Sequence, residues 1–287
     1  MKGMRITDDR GDAVMVTAVL LMSIFLSVGS NYLLEHGDNV GKEEDMVHAA
    51  YVEDSFLNTR SSMSSLLTAS DMRTVIIERF TLGTPGNPYI GVARSSGSLV
   101  IDPETSTFQL SLVMRSGLTE TNLNTVNGGL HFISNNYYFH DQDYMFTAGG
   151  IIMEQYGSQV MTVPPDIQLV DASGKLQLNM DMFGITSPYR KVTGIESVPV
   201  SIRMAGSSLV EESFGPGESL VMRVNGLGER AWYDQMRVIL ETNGLLDGVD
   251  FTITAPLDWN DPAQYVEIDL SSVDELVCRI GEMEVTV

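Results

Sequence analysis

Residues 13–34 read AVMVTAVLLMSIFLSVGSNYLL, from Ala13 to Leu34, with no charged side chain in the run. A helix rises about 1.5 Å per residue, so this stretch reaches roughly 33 Å, close to the hydrocarbon thickness of a bilayer. Gly29, Ser30 and Asn31 weaken it only near its far end, and Tyr32 stands where an interfacial aromatic belongs. The apolar core of a cleaved secretory signal spans about 7–15 residues and ends in a small-x-small site. This run is longer, and Leu33-Leu34-Glu35-His36 lacks that site. The flanks set the direction. Lys2, Arg5 and Arg10 precede the run and Glu35, His36 and Asp38 follow it. Basic residues stay on the cytoplasmic side, so the reading is a single-pass membrane protein: N-terminus cytoplasmic, main domain extracellular at the cell surface.

The rest of the composition fits a folded domain. Hydrophobic residues make up 43% of the 287, enough for a sizeable core. Acidic residues number 38 against 17 basic ones, a formal charge of −21. Binding nucleic acid through its phosphates needs clustered Lys and Arg, so that partner class is excluded. Cys278 is the single cysteine, which rules out an internal disulfide and any cysteine-based zinc site.

Beyond the apolar run, Gly37 and Gly41 are expected to interrupt the helix, each costing up to about 1 kcal/mol relative to Ala. Asp38 or Asn39 can cap a new helix, and Glu43, Glu44 and Asp45 suit its first turns. Ala49, Val52, Phe56, Met63 and Leu67 then recur at helical spacing. Residues 35–67 therefore read as an amphipathic stalk helix.

After Leu67 the period changes to two. Phe108, Leu110, Leu112 and Met114 alternate with polar residues, as do Leu176, Leu178, Met180 and Met182. Val198, Val200, Ile202 and Met204 form a third set, and Leu220, Met222 and Val224 a fourth. Such alternation between Gly-, Pro- and Asn-rich breakers predicts antiparallel strands with one buried face. One helix interrupts them from about Glu229 to Thr242, with Trp232, Met236, Ile239 and Leu240 on its apolar face and Asn243-Gly244 closing it. Strands resume at 250–254, 265–270 and 276–287. The fold class is α+β, mainly β: an N-terminal transmembrane and amphipathic helix, then an antiparallel β-sandwich-like ectodomain or two related β-lobes, with one late helix. Pro164-Pro165 marks a lobe boundary near 165. The expected organisation is a leader over 1–11, a transmembrane helix over 12–34, a stalk over 35–67 and an acidic domain over 68–287.

Asp8-Asp9-Arg10-Gly11-Asp12, placed directly before the apolar run, resembles the N-terminus of archaeal type IV pilin-like proteins. Further stretches are similar to an uncharacterised group of such surface proteins: Phe80 to Pro85 running into Ser95-Ser96-Gly97-Ser98-Leu99, Ser134 to Tyr138 continuing through Asp143-Tyr144 to Gly149-Gly150-Ile151-Ile152, and Gln159-Val160-Met161. The resemblance covers most of residues 5–170. It implies that a prepilin-type peptidase cuts after the basic-small pair Arg10-Gly11, making Asp12 the first mature residue and leaving the apolar helix attached. Bacterial-type pilins carry Glu at the fifth mature position, whereas this chain has Val16. An uncleaved signal anchor is the alternative. Membrane lipid, the prepilin-type peptidase and other pilin-like subunits are the implied partners.

The residues offer little chemistry besides. His131 and His140 lack the paired spacing of a zinc site, although His140-Asp141-x-Asp143 carries donors. Asp258, Asn260 and Asp261, like Asp141 and Asp143, supply oxygens in loops, but neither stretch matches an EF-hand, and the calcium question stays open. Gly226-x-Gly228 lacks the third glycine of a dinucleotide site and reads as a turn, and Cys278 reads as a buried thiol. No nucleophile elbow or P-loop occurs. The expectation is a protein without enzymatic activity or cofactor. It is read as a pilin-like structural or minor filament subunit in surface assembly or adhesion, or else as a stationary anchored binding module. A hinge at Gly37 and Gly41 would slightly favour the second.

Overall fold

The computed structural model describes residues 9–88, 91–104, 107–259, 261 and 264–287, the side chains of 9–13 and 33–35 excepted. Among the described residues the chain is mainly β, with one long N-terminal helix, three sheets and one late helix. The first helix, α1, runs unbroken over Asp9–Ala69, 61 residues or about 90 Å. This corrects the expected break at Gly37 and Gly41. Both glycines are buried, and at Gly41 the packing of the Tyr138 ring outweighs the helix-propensity cost of about 1 kcal/mol.

The first sheet has the order β1 (Val75–Thr81), β12 (Ser197–Ser213), β16 (Glu275–Thr286), β10 (Lys175–Ile185) and β9 (Ile167–Ala172). The second has the order β11 (Arg190–Gly194), β2 (Ser96–Asp102), β5 (Gly129–Asn135), β6 (Asp143–Thr147), β7 (Gly150–Gln155) and β8 (Ser158–Val163). The third has the order β14 (Thr252–Thr254), β15 (Val266–Leu270), β13 (Glu218–Gly226), β3 (Phe108–Ser116) and β4 (Thr119–Asn127). The four alternating stretches of the sequence fall in β3, β10, β12 and β13, and the late helix α2 spans Glu229–Thr242.

Two features depart from the expected antiparallel pattern and lobe layout. β10 and β16 pair in parallel, from Gln177 opposite Glu275 to Ile185 opposite Met283. Pro164-Pro165 lies in the connection from β8 to β9, and each of the three sheets draws strands from both sides of it. The halves of the chain before and after 165 therefore interleave.

Two apolar cores share the first sheet. Leu178, Met180, Leu276, Cys278 and Ile280 join the third sheet and Trp232, Met236 and Leu240 of α2 in one core. Phe183, Ile185, Val200, Ile202, Met283 and Val285 join the second sheet and α1 in the other. The expected stripe of α1 is the part that enters this second core: Val52, Phe56, Met63 and Leu67 are all buried there. Phe56 meets the Phe80 ring edge-on at 5.3 Å and stacks on Tyr144 at 6.1 Å. Burying several large side chains at roughly 1.5–3 kcal/mol each ties α1 to both sheets.

Candidate functional site: the N-terminal helix and its seat

The two halves of α1 have opposite surroundings. From Val14 to Val28 the large apolar side chains are solvent-exposed, Phe25 by 77% and Leu20 by 59%. An 18-residue window of α1 has a mean hydropathy of 1.9, and none of that window is buried by the rest of the chain. Among the described residues, α1 alone is long and apolar enough to cross a membrane. Two of its hydroxyls pair within the helix: Ser23 Oγ donates to the Val19 carbonyl at 2.8 Å and Ser30 Oγ to the Leu26 carbonyl at 2.6 Å. A helix surrounded by hydrocarbon needs that internal pairing. Leaving these side chains in water would forgo on the order of 10–20 kcal/mol of burial free energy, so the surface calls for an apolar covering.

The other half is held by a polar latch followed by the apolar stripe. A Cβ on Gly41 would lie 2.3 Å from Cδ2 of Tyr138, so only glycine lets that ring pack on the helix. The Tyr138 hydroxyl is fixed in turn, accepting from Ala93 N at 2.8 Å and donating to the Gly91 carbonyl at 3.1 Å. One turn further along, Asp45 is 1% exposed, and its Oδ2 accepts from the backbone N–H groups of Tyr138 at 2.9 Å and Phe139 at 3.1 Å. Burial of Asp45 shields these bonds from solvent.

The latch also protects a sheet edge. Leu82 N bonds to the Glu196 carbonyl on the β12 side, which turns the odd-numbered backbone groups at this end of β1 outward. Two α1 side chains cap them. His48 Nε2 lies 2.8 Å from the Thr81 carbonyl, and Ser55 Oγ donates to the Arg79 carbonyl at 3.1 Å. A carbonyl only accepts, so His48 Nε2 carries the proton. Burial lowers the His48 pKa, opposed by the Thr81 carbonyl and the charge of Asp45. Further down, Ser62 Oγ donates to Glu78 Oε1 at 2.8 Å, and Arg60 donates to the carbonyls of Gly149 at 2.8 Å and Pro164 at 3.0 Å while pairing with Asp166 at 3.3 Å.

Gly41, Asp45, His48, Val52 and Phe56 thus form one line on α1, spaced by three or four residues. The apolar members were legible from periodicity. The polar ones read as capping and stalk residues, although their spacing already placed them on the same stripe.

The remaining candidates are dispersed. Arg10, Gly11 and Asp12 lie in the first turns of α1, and their side chains are outside the described residues, as are Lys2, Arg5 and Asp8. His140 is exposed, with its ring 4.8 Å from that of Tyr156, while Asp141 Oδ1 accepts from Asn136 N at 2.7 Å and Asp143 Oδ1 from Ser134 N at 2.9 Å. These two carboxylates close the loop between β5 and β6. Asn260 is outside the described residues. Near it, Gln264 Oε1 accepts from Leu257 N at 2.7 Å and Asp258 N at 3.1 Å, and Gln264 Nε2 donates to Asp261 Oδ2 at 2.9 Å. Among the described residues, no three His, Cys, Asp or Glu side chains converge as metal ligands would. Gly226 and Gly228 have φ of 97° and 84° in the turn leading into α2, and a Cβ on Gly228 would lie 2.3 Å from Ile152 Cδ1. Cys278 is fully buried, and burial pushes its thiol up to about 12. An open cleft of about 570 Å³ beside Ser64 and Thr68 of α1 is lined by Asp166, Asp181 and Arg279, whose charges pair across it and with Arg60.

Comparison of the chain with protein-family models, with curated proteins and with solved structures gives no match.

Proposed function

We propose that this chain is a membrane-anchored cell-surface protein of the archaeal pilin-like type, a structural or minor filament subunit whose β-domain faces the exterior. The observation that supports this reading best is the unbroken α1. One half offers a bare apolar surface and the other is locked into the domain core. In the membrane, lipid covers the apolar half. In a filament, the same surface would be reburied against the helices of neighbouring subunits, by the same hydrophobic driving force. The rival reading as a stationary anchored module leaned on a hinge at Gly37 and Gly41. The helix is continuous there, which removes that support.

On this proposal a prepilin-type peptidase cleaves between Gly11 and Asp12 on the cytoplasmic side. Intact-mass analysis and N-terminal sequencing of the protein from its native membrane test it. A mature chain beginning at Asp12 supports the pilin-like route, and a retained Met1 sinks it. Imaging of sheared surface filaments for this subunit then separates a filament component from an anchored module.

A further inference from the structure

The end of the second sheet nearest the apolar half of α1 carries two neighbouring groups of aromatic rings. Strand register defines that end. Ser96 pairs with Asn135, Phe132 with Tyr144 and Asp143 with Glu154, so the start of β2, the loop from β5 to β6 and the turn after β7 all project together. The Ala148-Gly149 turn lies at the opposite end. α1 orients the sheet. Gly41 and Asp45 touch the loop between β5 and β6, and Arg60, about 22 Å further along the helix, reaches the Gly149 carbonyl.

On the loop-rich end the rings form a pair, Tyr137 with Tyr138 at 4.8 Å, and a group of three, Phe139 with His140 at 5.4 Å and His140 with Tyr156 at 4.8 Å. Tyr137 is 69% exposed and Tyr156 76%. The loop that presents Tyr137 is held in place by Asp45 and Asp141 at its backbone and by the bonds of the Tyr138 hydroxyl, while Tyr156 stands in the turn between β7 and β8. From Leu34 to Gly41 the helix climbs about 10 Å. The headgroup layer extends about 5–8 Å beyond the hydrocarbon on each side, and a spanning helix tilts by about 20° on average, which lowers one side of an attached domain by several ångströms.

We propose that this aromatic rim rests in the headgroup layer of the same bilayer that α1 enters, so that the β-domain stands at a fixed tilt. The inference builds on the membrane reading above. Tyrosine combines an apolar ring with a hydroxyl and suits that layer. The lipid surface that fits is zwitterionic, because a chain of net charge −21 is repelled by anionic headgroups.

The test uses the full-length protein in phosphatidylcholine nanodiscs, with nitroxide labels at Phe25→Cys, Tyr137→Cys, Tyr156→Cys and Met72→Cys. Cys278 is buried and stays unlabelled. Phe25 reports the bilayer interior, and Met72, just past the C-terminal end of α1, reports bulk water about 50 Å beyond Leu34. Collision with oxygen and with a water-soluble nickel chelate reads depth. Labels at 137 or 156 are expected to be shielded from nickel and richer in oxygen than the label at 72, falling between it and the label at 25. If both match the label at 72 while 25 reads as lipid, the rim is overturned and the anchor stands. If 25 itself reads as water, the membrane reading falls and the rim with it. Unchanged thermal unfolding confirms that each variant folds, and His140→Cys, on the loop of Tyr137 and in ring contact with Tyr156, replaces either one that does not.

Discussion

His48 shows how a single residue couples α1 to the β-domain. Its neutral ring caps the Thr81 carbonyl in a site where charge is disfavoured by burial, and its folded pKa lies below the usual 6.5. The unfolded chain therefore takes up a proton at a higher pH than the folded one. The stability contributed by this group is fully present above pH 6.5 and is lost as pH falls through that value towards the lowered folded pKa. Melting temperature is expected to drop between neutral pH and about pH 5, and the drop to shrink in His48→Gln, which keeps a donor for Thr81 but does not titrate. A wild-type-minus-variant difference that stays flat over this range would remove His48 as the cause. Asp45 is a different case: its Oδ2 is paired with the backbone N–H groups of Tyr138 and Phe139, so this buried acid fastens the helix to the loop between β5 and β6.

At the scale of elements, the unexpected continuity of α1 is the informative result. In an isolated helix, Gly41→Ala would stabilise by about 1 kcal/mol. Here the new Cβ would meet the Tyr138 ring, which cannot swing away without losing its bonds to Ala93 and Gly91. Gly41→Ala is therefore expected to lower the melting temperature, and the double variant with Tyr138→Ala to lose less than the two single changes added together. Additive effects in thermal unfolding would show that the ring and the glycine are not in contact in solution. The third sheet holds another element-scale device. Arg115 and Arg223 from β3 and β13 bridge Glu120 of β4 and Glu267 of β15, and the two guanidinium groups hold the Glu120 carboxyl down to about 2. Four strands are tied across one face in this way, a network with more claim to rigidity than isolated surface pairs.

For the whole molecule, charge is the dominant fact. A net charge of −21 makes the folded state repel itself, because folding brings the carboxylates closer together. The screening length falls from about 30 Å at 10 mM salt to about 3 Å at 1 M, so the melting temperature is expected to rise across that range. A melting temperature that is constant or falls with sodium chloride would show that the local Arg–Glu networks outweigh the global repulsion. The same charge bears on placement, since an acidic domain close to a bilayer favours a surface that is not itself anionic.

The sequence by itself determined the elements whose signal is local. The apolar run of α1 needed only length and hydropathy. α2 was legible to its ends because Trp232, Met236 and Leu240 share a face and Asn243-Gly244 stops it, Gly244 taking the left-handed conformation at φ 88°. β3, β10, β12 and β13 showed because one face of each is buried for much of its length. Tertiary structure decided what no window of sequence carries. β2 and β6 are buried on both faces, so they lack the alternation that marks a strand. The parallel pairing of β10 with β16 joins residues about a hundred positions apart, which periodicity cannot register. The path of α1 through Gly41 was settled by a ring 97 residues downstream and by two amides that Asp45 finds on the same loop. Glycine's local preference argues for a break, and the contacts made possible by its missing Cβ argue for continuity. Only the packed structure shows that the contacts win.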